Sequence, residues 1–207
     1  MAILNFDQLN ERQIDVLSEI GNIGSGNAAT SLSRLMNISV SMQVPSVRII
    51  DIKDASGALG GPENPVVAIL TKLRGDLSGI MMFLTGQEFV RSLLETLLGE
   101  HVDDCECLTD YQNSALTEIG NIMISAYANA IGTLSGLVVR TSVPAVAIDM
   151  MGAVLAVPAV EMGFTTDKII FIENDFIGNG RRTSANMLMI PDIASLNKLM
   201  DSLNIGW

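Results

Sequence analysis

The chain has one histidine in 207 residues, His101, and two cysteines, Cys105 and Cys107. No His-based catalytic triad is readily arranged around that single imidazole. Two thiols two positions apart make no disulfide framework of the secreted kind. Basic residues are also scarce: 12 Lys and Arg against 23 Asp and Glu, for a net charge of −11 and a pI near 4.4. Such a surface is repelled by phosphate backbones and anionic headgroups, so no nucleic acid and no membrane partner is expected. Aromatics make up 4% of a chain that is 48% hydrophobic, so the core is aliphatic, with twelve methionines as gap-fillers. Met1–Glu11 lacks the basic start and apolar centre of a signal peptide. The most apolar stretch, Val143–Met162, is interrupted by Asp149, Glu161 and two prolines, and reads as buried strands with a turn rather than a membrane span. A cytoplasmic protein is expected, long enough for one full core.

What the chain does contain is an internal repeat. Glu-Ile-Gly-Asn-Ile occurs as Glu19–Ile23 and again as Glu118–Ile122. The first copy sits in a frame of Asp15, Glu19, Asn22 and Pro45, the second in a frame of Ser114, Glu118, Asn121 and Pro144. The spacings are identical, and the offset of 99 residues is close to half the chain. Leu17/Leu116, Ala29/Ala128, Leu35/Leu134 and Val47/Val146 match at the same offset. Farther on, Leu77–Gly99 and Thr183–Gly206 both read as a strand, a turn and a short amphipathic helix, at an offset of 106–107. Roughly seven extra residues in the second half are assigned to the Asn- and Gly-rich segment Glu173–Ser184. The expected architecture is α/β (α+β): one domain over 1–207 made of two repeats, about 1–100 and 108–207, with pseudo-twofold symmetry, a mostly antiparallel sheet and two long outer helices.

Within each repeat the pattern predicts a long helix first. Phe6–Leu35 reads helical, with Asp7 or the Asn10/Gln13 pair as its start and a break near Asn22–Gly26, where glycines accumulate. Ile38–Ile52 reads as strand with Pro45 at an edge or bend, Lys53–Asn64 as a loop, Pro65–Leu73 and Leu77–Leu84 as a hairpin turning at Arg74–Asp76, and Gln87–Leu98 as a helix ended by Gly99. In the second half Asp110–Leu134 is helical, Leu137–Val143, Ala145–Asp149, Ala153–Met162, Asp167–Glu173 and Ala185–Ile190 are extended, and Ile193–Leu203 is the closing helix. Between the halves, His101, Cys105 and Cys107 stand among three carboxylates. With no counterpart in the first half, they are read as a polar linker rather than a metal site. Gly24-Ser25-Gly26 lies within a helical stretch, and Ala29 takes the third position of a dinucleotide fingerprint, so that reading is set aside.

On a helical wheel at about 100° per residue, Asp15, Glu19 and Asn22 fall on one narrow stripe. Ile14, Val16, Leu17, Ile20 and Ile23 lie on the other side, toward the core. Ser114, Glu118 and Asn121 repeat the arrangement. Asn is a mediocre helix former, so its appearance twice, three residues after Glu and beside a glycine, points to function rather than a solvated face. The glycine leaves room for a partner's backbone. A carboxamide both donates and accepts, so it can orient a water. A neighbouring carboxylate can hold a partner's Lys or Arg. Phosphoryl transfer needs mainly such positioning.

The doubled Asp/Ser-x3-Glu-x2-Asn-x22-Pro pattern resembles the signature of the CheC/FliY/CheX phosphatases of bacterial chemotaxis. Glu19–Ala29 is similar to the first CheC motif and Glu118–Tyr127 to the second. The likeness covers nearly the whole chain, and no fixed motif position departs from it. It implies a two-motif, CheC-type enzyme that hydrolyses the aspartyl phosphate of the response regulator CheY. Asn22 and Asn121 would orient the attacking water, and Glu19 and Glu118 would pair with a Lys of CheY. Asp15, Ser114, Pro45 and Pro144 would be supporting positions. The resemblance implies no cofactor of its own, with Mg2+ held by CheY, and a further partner, CheD. The alternative is a non-catalytic CheD-binding module, or one similar to the middle domain of the flagellar switch protein FliM. The two Glu–Asn pairs weigh against the alternative.

Overall fold

The structure, a computed structural model, describes residues 5–161, 168–178 and 180–203. Met162, Asp167, Asn179 and the end of the second repeat beyond Leu203, all within segments assigned above, lie outside the described residues. Along the chain run a 3-10 turn (Phe6–Gln8), α1 (Glu11–Met36), β1 (Val40–Met42), β2 (Ser46–Asp51), α2 (Ile52–Ala58), β3 (Pro65–Gly75), β4 (Gly79–Thr85), α3 (Gln87–Leu98), a second 3-10 turn (Cys105–Cys107), α4 (Asp110–Ser135), β5 (Val139–Thr141), β6 (Ala145–Met150), α5 (Met151–Glu161), β7 (Lys168–Gly178), β8 (Arg181–Pro191) and α6 (Ile193–Ser202).

The two long helices begin and end alike. Asn10 Oδ1 accepts from the Gln13 amide and Gln13 Oε1 from the Asn10 amide, a reciprocal cap that starts α1. Thr109 and Gln112 do the same for α4. Each helix is 26 residues long and stops at a left-handed residue, Asn37 at φ 51° and Gly136 at φ 71°. Asn is one of the few side chains that tolerates the conformation Gly adopts freely. Asp7 therefore belongs to a separate turn and does not cap α1.

All eight strands form one sheet in the order β1-β7-β8-β4-β3-β5, with β2 also on β7 and β6 also on β3, and every pairing is antiparallel. β4 and β8 meet at the centre, where Met82 stands opposite Leu188, 106 residues later. β2 of the first repeat pairs with β7 of the second, and β6 of the second with β3 of the first. Each half thus lends its edge strands to the other. Alternation along the strands divides the sheet into two faces. Val67, Ile69, Met81, Phe83, Ile170, Ile172 and Met187 face α1, α3, α4 and α6. Val66, Ala68, Ile80, Met82, Phe171 and Leu188 face the short helices α2 and α5.

Several sequence expectations are corrected. α1 is unbroken through Gly21, Gly24 and Gly26. Ile38–Ile52 is two strands, with Pro45 in the gap between them. Half of Lys53–Asn64, up to Ala58, belongs to α2, and Ala153–Glu161 lies in α5 rather than in a strand. Met151, Val154 and Leu155 of α5 and Ala55 of α2 cover the second face of the sheet, a role no local pattern announces. The predicted loop Glu173–Ser184 is largely paired strand of the long β7–β8 hairpin. The extra residues are divided: α5 is longer than α2, which already moves β7 to an offset of 103 from β3, and the remainder falls in the hairpin. Finally, the β3–β4 turn lies at Asp76–Ser78, because β3 extends to pair Gly75 with Val139.

Candidate functional site

Leu17, Ile20, Gly21 and Gly24 fix one side of α1 against the sheet and α4, leaving Asp15, Glu19 and Asn22 exposed on the opposite stripe. On α4, Leu116, Ile119, Gly120 and Met123 are buried, Ser114 and Glu118 are exposed and Asn121 is half-buried. The wheel places the motif stripe correctly. Its estimate of the apolar side is too wide: Ile14 is 36% exposed, and Val16 and Ile23 are only half-buried.

The motif glycines do something other than the sequence suggests. A Cβ on Gly21 would lie 2.7 Å from Val47 Cγ2, and one on Gly120 would lie 2.4 Å from Ile69 Cδ1 and Cγ2. Both glycines point inward, so they let the helix sit close on the sheet and do not open space for a partner. The contacts also explain the distant proline. Pro45 stands two residues before Val47, which pairs with Ile172 beneath Gly21. Pro144 stands two residues before Val146, which pairs with Ile69 beneath Gly120. The bend at each proline turns the chain into the strand that underlies its own helix or pairs with the one that does.

Glu19, Asn22 and Glu118 make no hydrogen bond or ion pair among the described residues, so their polar atoms are available to a partner. Asn121 differs, because Ser125 Oγ donates to its Oδ1 at 3.5 Å. The residue equivalent to Ser125 is Gly26, which can supply no such bond. Beneath the first motif lies a buried polar knot. Ser25 Oγ is 2.7 Å from Gly21 O and from Tyr127 Oη, and 2.5 Å from Asn174 Oδ1, to which Tyr127 Oη also donates. Burial pushes the Tyr127 phenol up to about 12, against the pull of its hydrogen bonds to Ser25 and Asn174. The equivalent positions, Ile124, Ala28 and Thr71, build no such network. Gly24 belongs to this knot, since a Cβ there would lie 2.5 Å from the Tyr127 ring.

Two surfaces beside the second motif were not foreseen. Ser114, Ala115 and Glu118 join Leu35, Leu97, Leu98 and the exposed Tyr111 around a groove of about 280 Å³. Arg34 and Ser125 share a second cleft. A comparison of the two repeats position by position shows both differences: Arg12 stands where the second repeat has Tyr111, and Thr133 where the first has Arg34.

The linker residues do not converge. Cys105 is buried with its thiol toward Gln87 O, and burial raises its pKa despite the nearby Arg91. Cys107 is exposed, and His101 lies against Glu95 and Asp103. Among the described residues no three His, Cys, Asp or Glu side chains are placed to hold a metal ion, and no helix is long and apolar enough to cross a membrane.

Residues 13–49 and 112–148, the two motif regions, match the CheC-like family. The chain is 32% identical over 206 residues to the CheY-P phosphatase CheC of Bacillus subtilis, covering 96% of this chain and 97% of that one. The fold is similar to that of Thermotoga maritima FliY, with a TM-score of 0.75, 22% identity and coverage of 95% of this chain and 98% of the other. It is also similar to a chain of the Helicobacter pylori FliM–SpeE complex, with a TM-score of 0.74, 14% identity and coverage of 97% and 100%.

Proposed function

The chain belongs to the CheC-like family, and on that premise we propose that it hydrolyses the aspartyl phosphate of the chemotaxis response regulator CheY, using two Glu–Asn sites. The observation that carries the reading is the pair of stripes, Glu19–Asn22 and Glu118–Asn121, each presented outward from a helix whose other side is buried. A rigid helix that presents a carboxamide at its surface suits insertion beside a phosphoryl group. The Asn Oδ1 accepts a hydrogen bond from the attacking water and its Nδ2 can donate one in turn, holding the water oxygen in line with phosphorus. The P–O bond to the partner's aspartate breaks as the new one forms, releasing inorganic phosphate and a free carboxylate. Glu19 and Glu118 anchor a cationic side chain of the partner, the expected Lys, by a charge-assisted hydrogen bond. The divalent cation is proposed to arrive with CheY, and CheD is proposed as a second partner on the family resemblance.

The alternative, a non-catalytic module similar to a flagellar switch protein, shares this fold, so the fold cannot choose between them. The choice falls to the Glu–Asn stripes. Decay of phosphorylated CheY in Mg2+ tests it. Wild type accelerates the decay, Asn22→Ala and Asn121→Ala each keep part of the acceleration, and the double variant loses it by about a hundredfold, the scale of a lost positioning group. No acceleration by folded wild type, with or without CheD, overturns the proposal.

A further inference from the structure

The two motifs are alike, but the surfaces beside them are not. A cleft of about 450 Å³ lies between α1 and α4, lined by Thr30, Ser31 and Arg34 from α1 and by Ile122, Ser125 and Asn129 from α4. It adjoins the second motif directly. Ile122 follows Asn121 in the chain, and Ser125 Oγ is the group that donates to Asn121 Oδ1. Arg34 is the one charged residue among those that line the cleft. It is exposed and makes no ion pair or hydrogen bond among the described residues. The repeat shows what the first site has in the same places: Thr133 for Arg34, Ala130 for Ser31 and Gly26 for Ser125. The first motif therefore has neither the cation nor a counterpart of the Ser125 hydroxyl that donates to its Asn.

We propose that Arg34, carried by the first repeat's helix, is a substrate-binding residue of the second repeat's site, pairing with an anionic group of the phosphorylated partner. The inference rests on the phosphatase reading above. The protein carries a net charge of −11 and must approach an acyl phosphate, so its long-range field opposes the encounter. A cation at the rim of the site offsets that repulsion locally. A guanidinium suits the task, because its planar donors match both phosphoryl and carboxylate oxygens. Arg34 has no partner to give up, so no existing ion pair must break for it to engage. Its place in the last turn of α1 also complements the helix dipole. That effect concerns only the stability of α1 and acts the same whichever site is working.

Single-site variants separate the two roles. Asn22→Ala leaves the second site and Asn121→Ala leaves the first. In the Asn22→Ala background, Arg34→Gln raises KM for phosphorylated CheY by about threefold or more, leaves kcat within about twofold and weakens the salt dependence of KM. Arg34→Lys keeps most of the affinity. In the Asn121→Ala background, Arg34→Gln changes nothing, while Thr133→Arg lowers KM by placing the cation beside the first site. Two binding arms identify the anion. A loss confined to beryllofluoride-loaded CheY assigns it to the phosphoryl group, and an equal loss for unmodified CheY assigns it to carboxylates nearby. Equal effects of Arg34→Gln in both backgrounds, or no effect in either, would overturn the inference and leave the phosphatase reading standing, whereas an inactive Asn22→Ala variant beside active wild type would overturn the inference and reduce that reading to the first site alone. Inactive wild type would overturn that reading itself.

Discussion

Tyr127 shows how a single residue can make two similar halves differ. Its hydroxyl is shared with Ser25 and Asn174, its ring fills the space left by Gly24, and the equivalent of this residue in the first repeat is Ala28. Removing the hydroxyl leaves a buried carboxamide oxygen with one partner fewer, so Tyr127→Phe is expected to cost about 1–2 kcal/mol in urea unfolding. The same residue has a pH signature. In the unfolded chain the phenol titrates at its ordinary value of 10.0, and in the fold it holds its proton to about 12. Between these values the unfolded state binds fewer protons, so stability falls as pH rises from about 10 toward 12 and is unaffected below. The difference between wild type and Tyr127→Phe, measured by denaturation across that range, should show a slope in wild type that the variant lacks.

At the scale of the element, the informative comparison is among the glycines of the two long helices. Gly24 and Gly120 meet a tyrosine ring and an isoleucine side chain where a Cβ would go, whereas Gly26 meets nothing within 4 Å. Gly24→Ala and Gly120→Ala are expected to destabilise by about 1–3 kcal/mol, overpacking outweighing the gain in helix propensity. Gly26→Ala should stabilise by about 0.5–1 kcal/mol. Thermal or urea melts of the three variants check the order. Glycine was legible in the sequence as a weakness of the helix, and a break near Asn22–Gly26 was the local reading. The break is absent because at two of those positions the missing side chain is what permits close packing. The caps are the opposite case. Asn10 and Gln13 were readable because a cap is satisfied within four residues. α2 and α5 are the reverse case: the apolar run of Val143–Met162 reads as buried strand, yet only Met151, Val154, Leu155 and Pro158 of α5 are buried while Val143, Met150, Val157 and Val160 are exposed, and the bare sheet face that α5 covers decides both its helical state and which side is buried.

For the molecule as a whole, the decisive feature is the exchange of edge strands. β2 finds its partner in the second half and β6 finds its partner in the first. Neither half can complete its own sheet, and the two cores on either face draw residues from both. Residues 1–100 expressed alone are therefore expected to show no cooperative unfolding transition, while the full chain unfolds in one step by both circular dichroism and tyrosine fluorescence. A cooperative, monomeric melt of the half-chain would contradict the exchange. The consequence for the site is that each motif helix rests on strands from both repeats, as Gly21 does on Val47 and Ile172.

The repeat, the spacing of Glu, Asn and Pro and the helical stripe they occupy are properties of the sequence by itself. They follow from a period of 3.6 residues and from identities that need no partner to be seen. The direction of the glycines, the helical state of α5 and the meeting of Arg34 with Ser125 and Ile122 of α4 in one cleft were decided only by tertiary structure. Each depends on surfaces brought together from positions far apart in the chain, where neither period nor propensity carries information.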